Sequence, residues 1–103
     1  MTTTKLPIQL NERKIELFCR ERGIRRLSLF GSVVRGDYVT GKSDVDVLAE
    51  FEEGALEGVG LGFFGYGAEL GELLGARVDF CANLDRRVRA RVEPELVTIY
   101  ERA

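Results

Sequence analysis

The chain of 103 residues contains no histidine. That absence removes His-based nucleophile triads, imidazole general bases and the usual zinc clusters. Any catalysis must rest on carboxylates, hydroxyls, basic side chains or a hard metal ion. Cysteine is scarce as well: Cys19 and Cys81 are the two present, each inside an apolar segment. They read as buried reduced thiols rather than a disulfide framework. No apolar run is long enough to span a membrane. The N-terminal stretch "MTTTKLPIQL" has no signal-peptide core, so a cytoplasmic protein is expected. Neither sign of charge dominates. With 15 basic and 17 acidic side chains the net charge is -2, and broad electrostatic attraction to nucleic acid is not expected.

What remains is globular. Apolar residues at 45% and charged residues at 31% suffice for one small domain, 1–103, with a single core. Asn11 is placed to cap a helix in "NERKIELFCRERG". Ile15, Phe18, Cys19 and Arg22 follow at helical spacing, and Gly23 stops it. "LSLF", Leu27 to Phe30, reads as a short buried strand. Gly31-Ser32 ends it, and Ser32 is placed to cap a short helix running to about Gly36. "DYVTGKS" is turn-rich. "DVDVLAEF" alternates as a strand does, with Asp44, Asp46, Leu48 and Glu50 on one face and Val45, Val47, Ala49 and Phe51 on the other.

The second half is less regular. Leu61 to Leu74 has helical spacing at Phe63, Tyr66, Leu70, Leu73 and Leu74. It also holds Gly62, Gly65, Gly67 and Gly71, each costing roughly 1 kcal/mol of helix stability relative to alanine. "ARVDFCA", Ala76 to Ala82, predicts a third strand. Asn83 is placed to cap a helix with Leu84, Val88 and Val92 on one face, and Pro94 suits the first turn of a last helix in "PELVTIYERA". The expected order is α-β-α-β-α-β-α-α, one α/β (α+β) domain with a sheet of few strands.

The stretch "LFGSVVRGDYVTGKSDVDVLAEF" carries the chemistry. Residues two apart on a strand point the same way, about 7 Å apart at Cα, so Asp44 and Asp46 can present two carboxylates to one point. Oxygen ligands of that kind suit Mg²⁺, which keeps waters and substrate phosphates in its shell. A pair of metals could be bridged by them. Asp79, in the middle of "RVDFC", is the candidate third carboxylate, and as a buried acid it would need a partner. Gly31-Ser32, where a strand turns into a helix, exposes backbone N–H groups and a hydroxyl that suit phosphate. Glycine there permits close approach of a triphosphate. Either half alone has a plain reading, a common turn or an edge strand with a solvated face. Arg35, about one helical turn beyond Gly31-Ser32, is placed to contact nucleotide or Asp44. Lys42 and the run "RRVRAR", Arg86 to Arg91, read as solvated or partner-facing surface.

In order, these pieces resemble the minimal nucleotidyltransferases of the DNA polymerase β superfamily, and within it the small MNT antitoxins paired with HEPN-domain toxins. The resemblance runs through "LSLFGSVVRGD", "SDVDVLAEF", "LLGARVDF" and "PELVTIYER". It implies the polymerase-β-type nucleotidyltransferase fold, a small mixed sheet with helices packed on it. It implies that Gly31 and Ser32 bind nucleotide phosphate, that Arg35, Gly36 and Ser43 belong to the nucleotide-binding loop, and that Asp44, Asp46 and Asp79 hold Mg²⁺, two ions in the family pattern. It also implies transfer of AMP from ATP to a tyrosine of a small all-helical HEPN toxin. The aromatics Phe63, Phe64 and Tyr66 crowd one turn beside glycines, which suits burial by a second copy or by the toxin, as a homodimer or hetero-oligomer. Two features depart from the pattern. Eleven residues, Val33 to Ser43, separate Ser32 from Asp44, one more than is usual, and the helix from Leu61 is unusually rich in glycine. Two rival readings are an antitoxin that neutralises by binding alone, and nucleotidyl transfer to a small molecule. Five intact motif residues argue against the first, and the lack of room for an acceptor-binding helical domain argues against the second.

Overall fold

The computed structural model describes residues 8–102. The first helix, α1 (Glu12–Arg22), begins where the Asn11 side chain accepts from the Lys14 N–H at 3.0 Å and ends at Gly23, whose φ of 70° closes the last turn. It buries Ile15, Phe18 and Cys19, the face its spacing predicts. The chain then enters β1 (Ile24–Phe30), three residues earlier than the apolar run suggests, because Ile24 is itself buried. One turn of helix, α2 (Ser32–Arg35), follows, then β2 (Val45–Phe51).

Residues 60–65 form a 3₁₀ segment, and the α-helix α3 (Tyr66–Leu74) starts only after it. The continuous helix expected from Leu61 is therefore split. β3 spans Val78–Cys81, shorter than the Ala76–Ala82 run. Asp85, not Asn83, caps α4 (Arg86–Val92), accepting from the Arg87 N–H at 2.9 Å. The expected last helix is the one wrong element. Pro94 opens only a 3₁₀ turn, Glu93–Glu95, and Val97–Glu101 is a strand, β4. The run Val97-Thr98-Ile99-Tyr100 is β-branched and aromatic, which suits a pleated surface better than a helix.

The sheet order is β3-β2-β1-β4, with β1 antiparallel to both neighbours and β3 parallel to β2. This mixed sheet has two unlike faces. On one, Leu27 and Leu29 of β1 and Val45, Val47 and Ala49 of β2 join Ile15, Phe18 and Cys19 of α1, Val33 of α2, and Leu70 and Leu74 of α3 in a single core. The other face carries Arg26, Ser28, Leu48, Glu50 and Asp46, the cross-strand partners of that register. There Glu50 accepts from both Arg26 and Arg89, so α4 is tied to β1 and β2. The hydrogen bond from Arg26 and the bond and charge of Arg89 hold the Glu50 carboxyl below the usual carboxylate range. All the candidate aspartates come from this second face or its margin. No helix among the described residues is long and apolar enough to cross a membrane.

Candidate functional site

Parallel pairing of β2 with β3 sets Asp46 abreast of Asp79, Cα to Cα in register. Antiparallel pairing with β1 sets Asp46 abreast of Phe30, the residue before Gly31. Two strand registers thus bring the glycine turn and both acids to one end of the sheet. Asp46 is half-buried and Asp79 is exposed, so Asp79 is not the buried acid the flanking Val78 and Phe80 suggested. Those two neighbours point instead toward the core side of the sheet.

The Asp46 carboxyl is pushed above the usual range. Burial is the largest cause, followed by the charges of Asp79 and Asp44 and a shared hydrogen bond with Asp79; Arg35 partly offsets them. An acid so placed gains from a cation. The donor set is three hard carboxylates and no imidazole, the chemistry of Mg²⁺ rather than zinc. As they stand, no three acidic or thiol groups among the described residues converge into a metal cluster. The reason is visible at Asp44. It lies one residue before β2, largely exposed, with Oδ1 at 3.1 Å from Nε of Arg77, whose other end donates to the Lys42 carbonyl at 2.8 Å. The residues fit a divalent cation in kind; Asp44 is turned to a cation of the protein's own.

Gly31 is buried, with φ 78° and ψ -150°, a conformation that favours glycine. A Cβ there would lie 2.0 Å from Oδ2 of Asp46, so the turn and the acid interlock. Ser32 does not cap α2: Gly31 holds the N-cap position, with no side-chain capping bond, and one turn is too short for a helix macrodipole to contribute much. The Gly31 N–H donates to Oε1 of Glu95 at 2.8 Å, and Arg35 Nη1 lies 3.3 Å from the same oxygen. Arg35 also sits 3.8 Å from Asp37. It therefore does not reach Asp44, which pairs with Arg77. Gly36 ends α2 with φ 94°. The Ser43 hydroxyl accepts from the Val39 N–H at 2.9 Å, and Ser43 N–H donates to the Val39 carbonyl at 2.8 Å. Ser43 thus braces the long loop.

Arg77 and Glu95 were not singled out in the sequence. Arg77 precedes Asp79 by two, the spacing of one strand face, which is a usable signal. Glu95 was hidden by reading its segment as helix. Beside the site, an open cleft of about 800 Å³ runs between α3 and the free edge of β3, lined by Phe63, Phe64, Gly67, Phe80, Asp44 and Arg77.

The sequence profile of the nucleotidyltransferase domain family matches residues 12–101. The chain belongs to that family, whose general chemistry is transfer of a nucleotidyl group. A solved structure of a provisionally assigned minimal nucleotidyltransferase is 34% identical, with 84% of this chain and 86% of that one covered and a TM-score of 0.64. A toxin–antitoxin structure with AMP-PNP is 20% identical, covering 90% of this chain and 75% of that one at a TM-score of 0.64. A mutant of the toxin–antitoxin MntA-HpeT is 17% identical over the same shares, at 0.63. The last two are alike in fold. No curated protein sequence matches.

Proposed function

We propose that the chain is a Mg²⁺-dependent nucleotidyltransferase that moves AMP from ATP to a tyrosine hydroxyl of a partner protein, and that the partner is a HEPN-domain toxin it neutralises in the cytoplasm. The observation that carries the reading is the interlock of Gly31 with Asp46. It sets the glycine turn directly against a carboxylate of raised proton affinity. Gly31, Ser32 and Arg35 would face the phosphates, with Gly36 and Ser43 shaping the loop around them. Asp44 and Asp46 would hold the cation, with Asp79 completing the set. When bound, the cation supplies positive charge against the triphosphate and the departing pyrophosphate. Asp79 is exposed beside Asp46, open to an incoming hydroxyl, and would accept its proton.

A protein acceptor is favoured over a small molecule by the apolar surface next to the site. Phe64, 77% exposed, lines the cleft that reaches Asp44, and Leu61, three residues earlier in the chain, is 83% exposed; apolar surface of this kind is suited to burial by a partner. The solved relatives in toxin–antitoxin structures agree with that choice. The Asp44–Arg77 pair gives some weight to a binding-only antitoxin, because it satisfies one proposed metal ligand internally.

The test uses labelled ATP, the partner toxin and two variants. Asp44→Asn is expected to lose Mg·ATP binding by calorimetry while keeping its fold. Asp79→Asn is expected to keep nucleotide affinity and lose transfer of label. Normal transfer by Asp44→Asn ends the metal reading. A wild-type protein that silences the toxin without labelling it establishes the binding-only antitoxin.

A further inference from the structure

The Gly31 amide and the Arg35 guanidinium are the donors that the phosphate reading assigns to nucleotide, yet one carboxylate oxygen already occupies both. We propose that Glu95 is an internal stand-in for the nucleotide phosphate, holding these two donors in the free protein and giving them up when a triphosphate binds. The inference rests on the nucleotide reading of the site and adds a competitor to it.

The placement of Glu95 is built into the sheet. β1 and β4 pair with Arg26 opposite Glu101 and Leu27 opposite Tyr100. After an irregularity the pairing becomes Ser28 opposite Thr98 and Leu29 opposite Val97. The pairing ends with Leu29 opposite Val97. Gly31 follows Leu29 by two residues and Glu95 precedes Val97 by two, so the 3₁₀ turn that leads toward β4 carries the Glu95 carboxylate to the Gly31 N–H. Glu95 sits in the 3₁₀ turn before β4 with a side chain 26% exposed, close enough to water to leave the turn without unfolding the core.

The chemistry is that of a phosphate oxygen: an anionic acceptor taking one backbone N–H and one guanidinium. Asp44 shows the complementary arrangement, with Arg77 where a cation would be. The free site is thus balanced at both ends by the protein's own charges. A ligand must replace Glu95 at the Gly31 end, which a multiply charged triphosphate can do more readily than a singly charged anion.

The experiment compares wild type with Glu95→Gln and Glu95→Ala, using Mg·ATP, Mg·tripolyphosphate and adenosine as probes in calorimetry. Glutamine keeps the shape and an acceptor for the Gly31 N–H but not the charge. Alanine removes both, and circular dichroism confirms that β4 remains formed. Both variants are expected to bind Mg·ATP and Mg·tripolyphosphate more tightly, by roughly fivefold or more, the difference between a charge-assisted and a neutral hydrogen bond. Adenosine, lacking phosphate, is expected to bind all three proteins alike. If wild type binds Mg·ATP and the variants bind it equally or more weakly, Glu95 is a fixed brace and the proposal is overturned. If wild type binds neither phosphate ligand, the nucleotide reading itself fails and takes this one with it.

Discussion

At Gly31 two demands meet. The backbone needs a positive φ, and the space a side chain would take is filled by the Asp46 carboxylate. The residue is fixed by its neighbour as much as by its own turn. Asp46 is in a different position, tolerated rather than required by the fold. Its raised proton affinity means that the folded state binds the proton more tightly than the unfolded state. The charged form therefore opposes folding. That penalty appears as pH rises from the ordinary carboxylate value through the raised one, and it is absent below both. Asp46→Asn is accordingly expected to stabilise the protein at neutral pH, read as a higher Tm than wild type. The gain should shrink to nothing in acid, while Mg·ATP binding is lost. Thermal melts of both proteins across pH check the sign. An Asn variant less stable at neutral pH would show that Asp46 braces the fold. Cys19 stands at the other extreme: burial pushes its thiol up to about 12, so it is inert packing.

Among the elements, α3 explains two of the glycines in the chain's less regular half, both inside the helix itself. A Cβ on Gly71 would lie 2.7 Å from the Ala76 carbonyl oxygen, and one on Gly67 3.2 Å from Cβ of Phe80. Gly67 lets α3 lie close on β3 and Gly71 lets the chain after α3 fold back against the helix, whereas Gly65 faces open space. Gly65→Ala is expected to gain about 0.5–1 kcal/mol, and Gly71→Ala to lose about 1–3 kcal/mol through overpacking despite its better helix propensity. Denaturant melts of the two variants decide between this account and plain propensity, which expects both to gain. The aromatics divide likewise: Phe63 and Tyr66 pack with Phe51 and Phe80, and Phe64 is left outside. Much of this was legible in the sequence. Asn11 and Gly23 bound α1 as capping chemistry requires, and alternation in "DVDVLAEF" gives β2 its core face at Val45, Val47 and Ala49. What escaped depended on distant partners. Val97–Glu101 becomes a strand because β1 offers an edge some seventy residues away, as with Ser28 and Thr98, and a proline at a helix-start position concealed it. The site was legible as a set of residue types. That Asp44 would turn to Arg77, and Gly31 to Glu95, depends on how the turns flanking the paired strands meet, which single-residue patterns do not contain.

For the molecule as a whole, the sheet is stronger at its centre than at its edges. β1 and β2 lie in the middle with every core position filled, while β4 lies at an edge with no fully buried residue. Native-state opening draws first on elements of that kind. Amides of β4 are expected to exchange with solvent well ahead of those of β1 and β2 under conditions where the protein stays folded. Equal protection across the four strands would mean that β4 is released only by global unfolding. Fast β4 exchange has a consequence for the turn it borders. Glu95 is separated from β4 by Leu96 alone, so each peeling of that edge would also carry the acid away from Gly31. Access to the site would then be metered by the fraying of a strand, a thermal breathing motion that any second molecule pairing with the free edge of β4 could arrest.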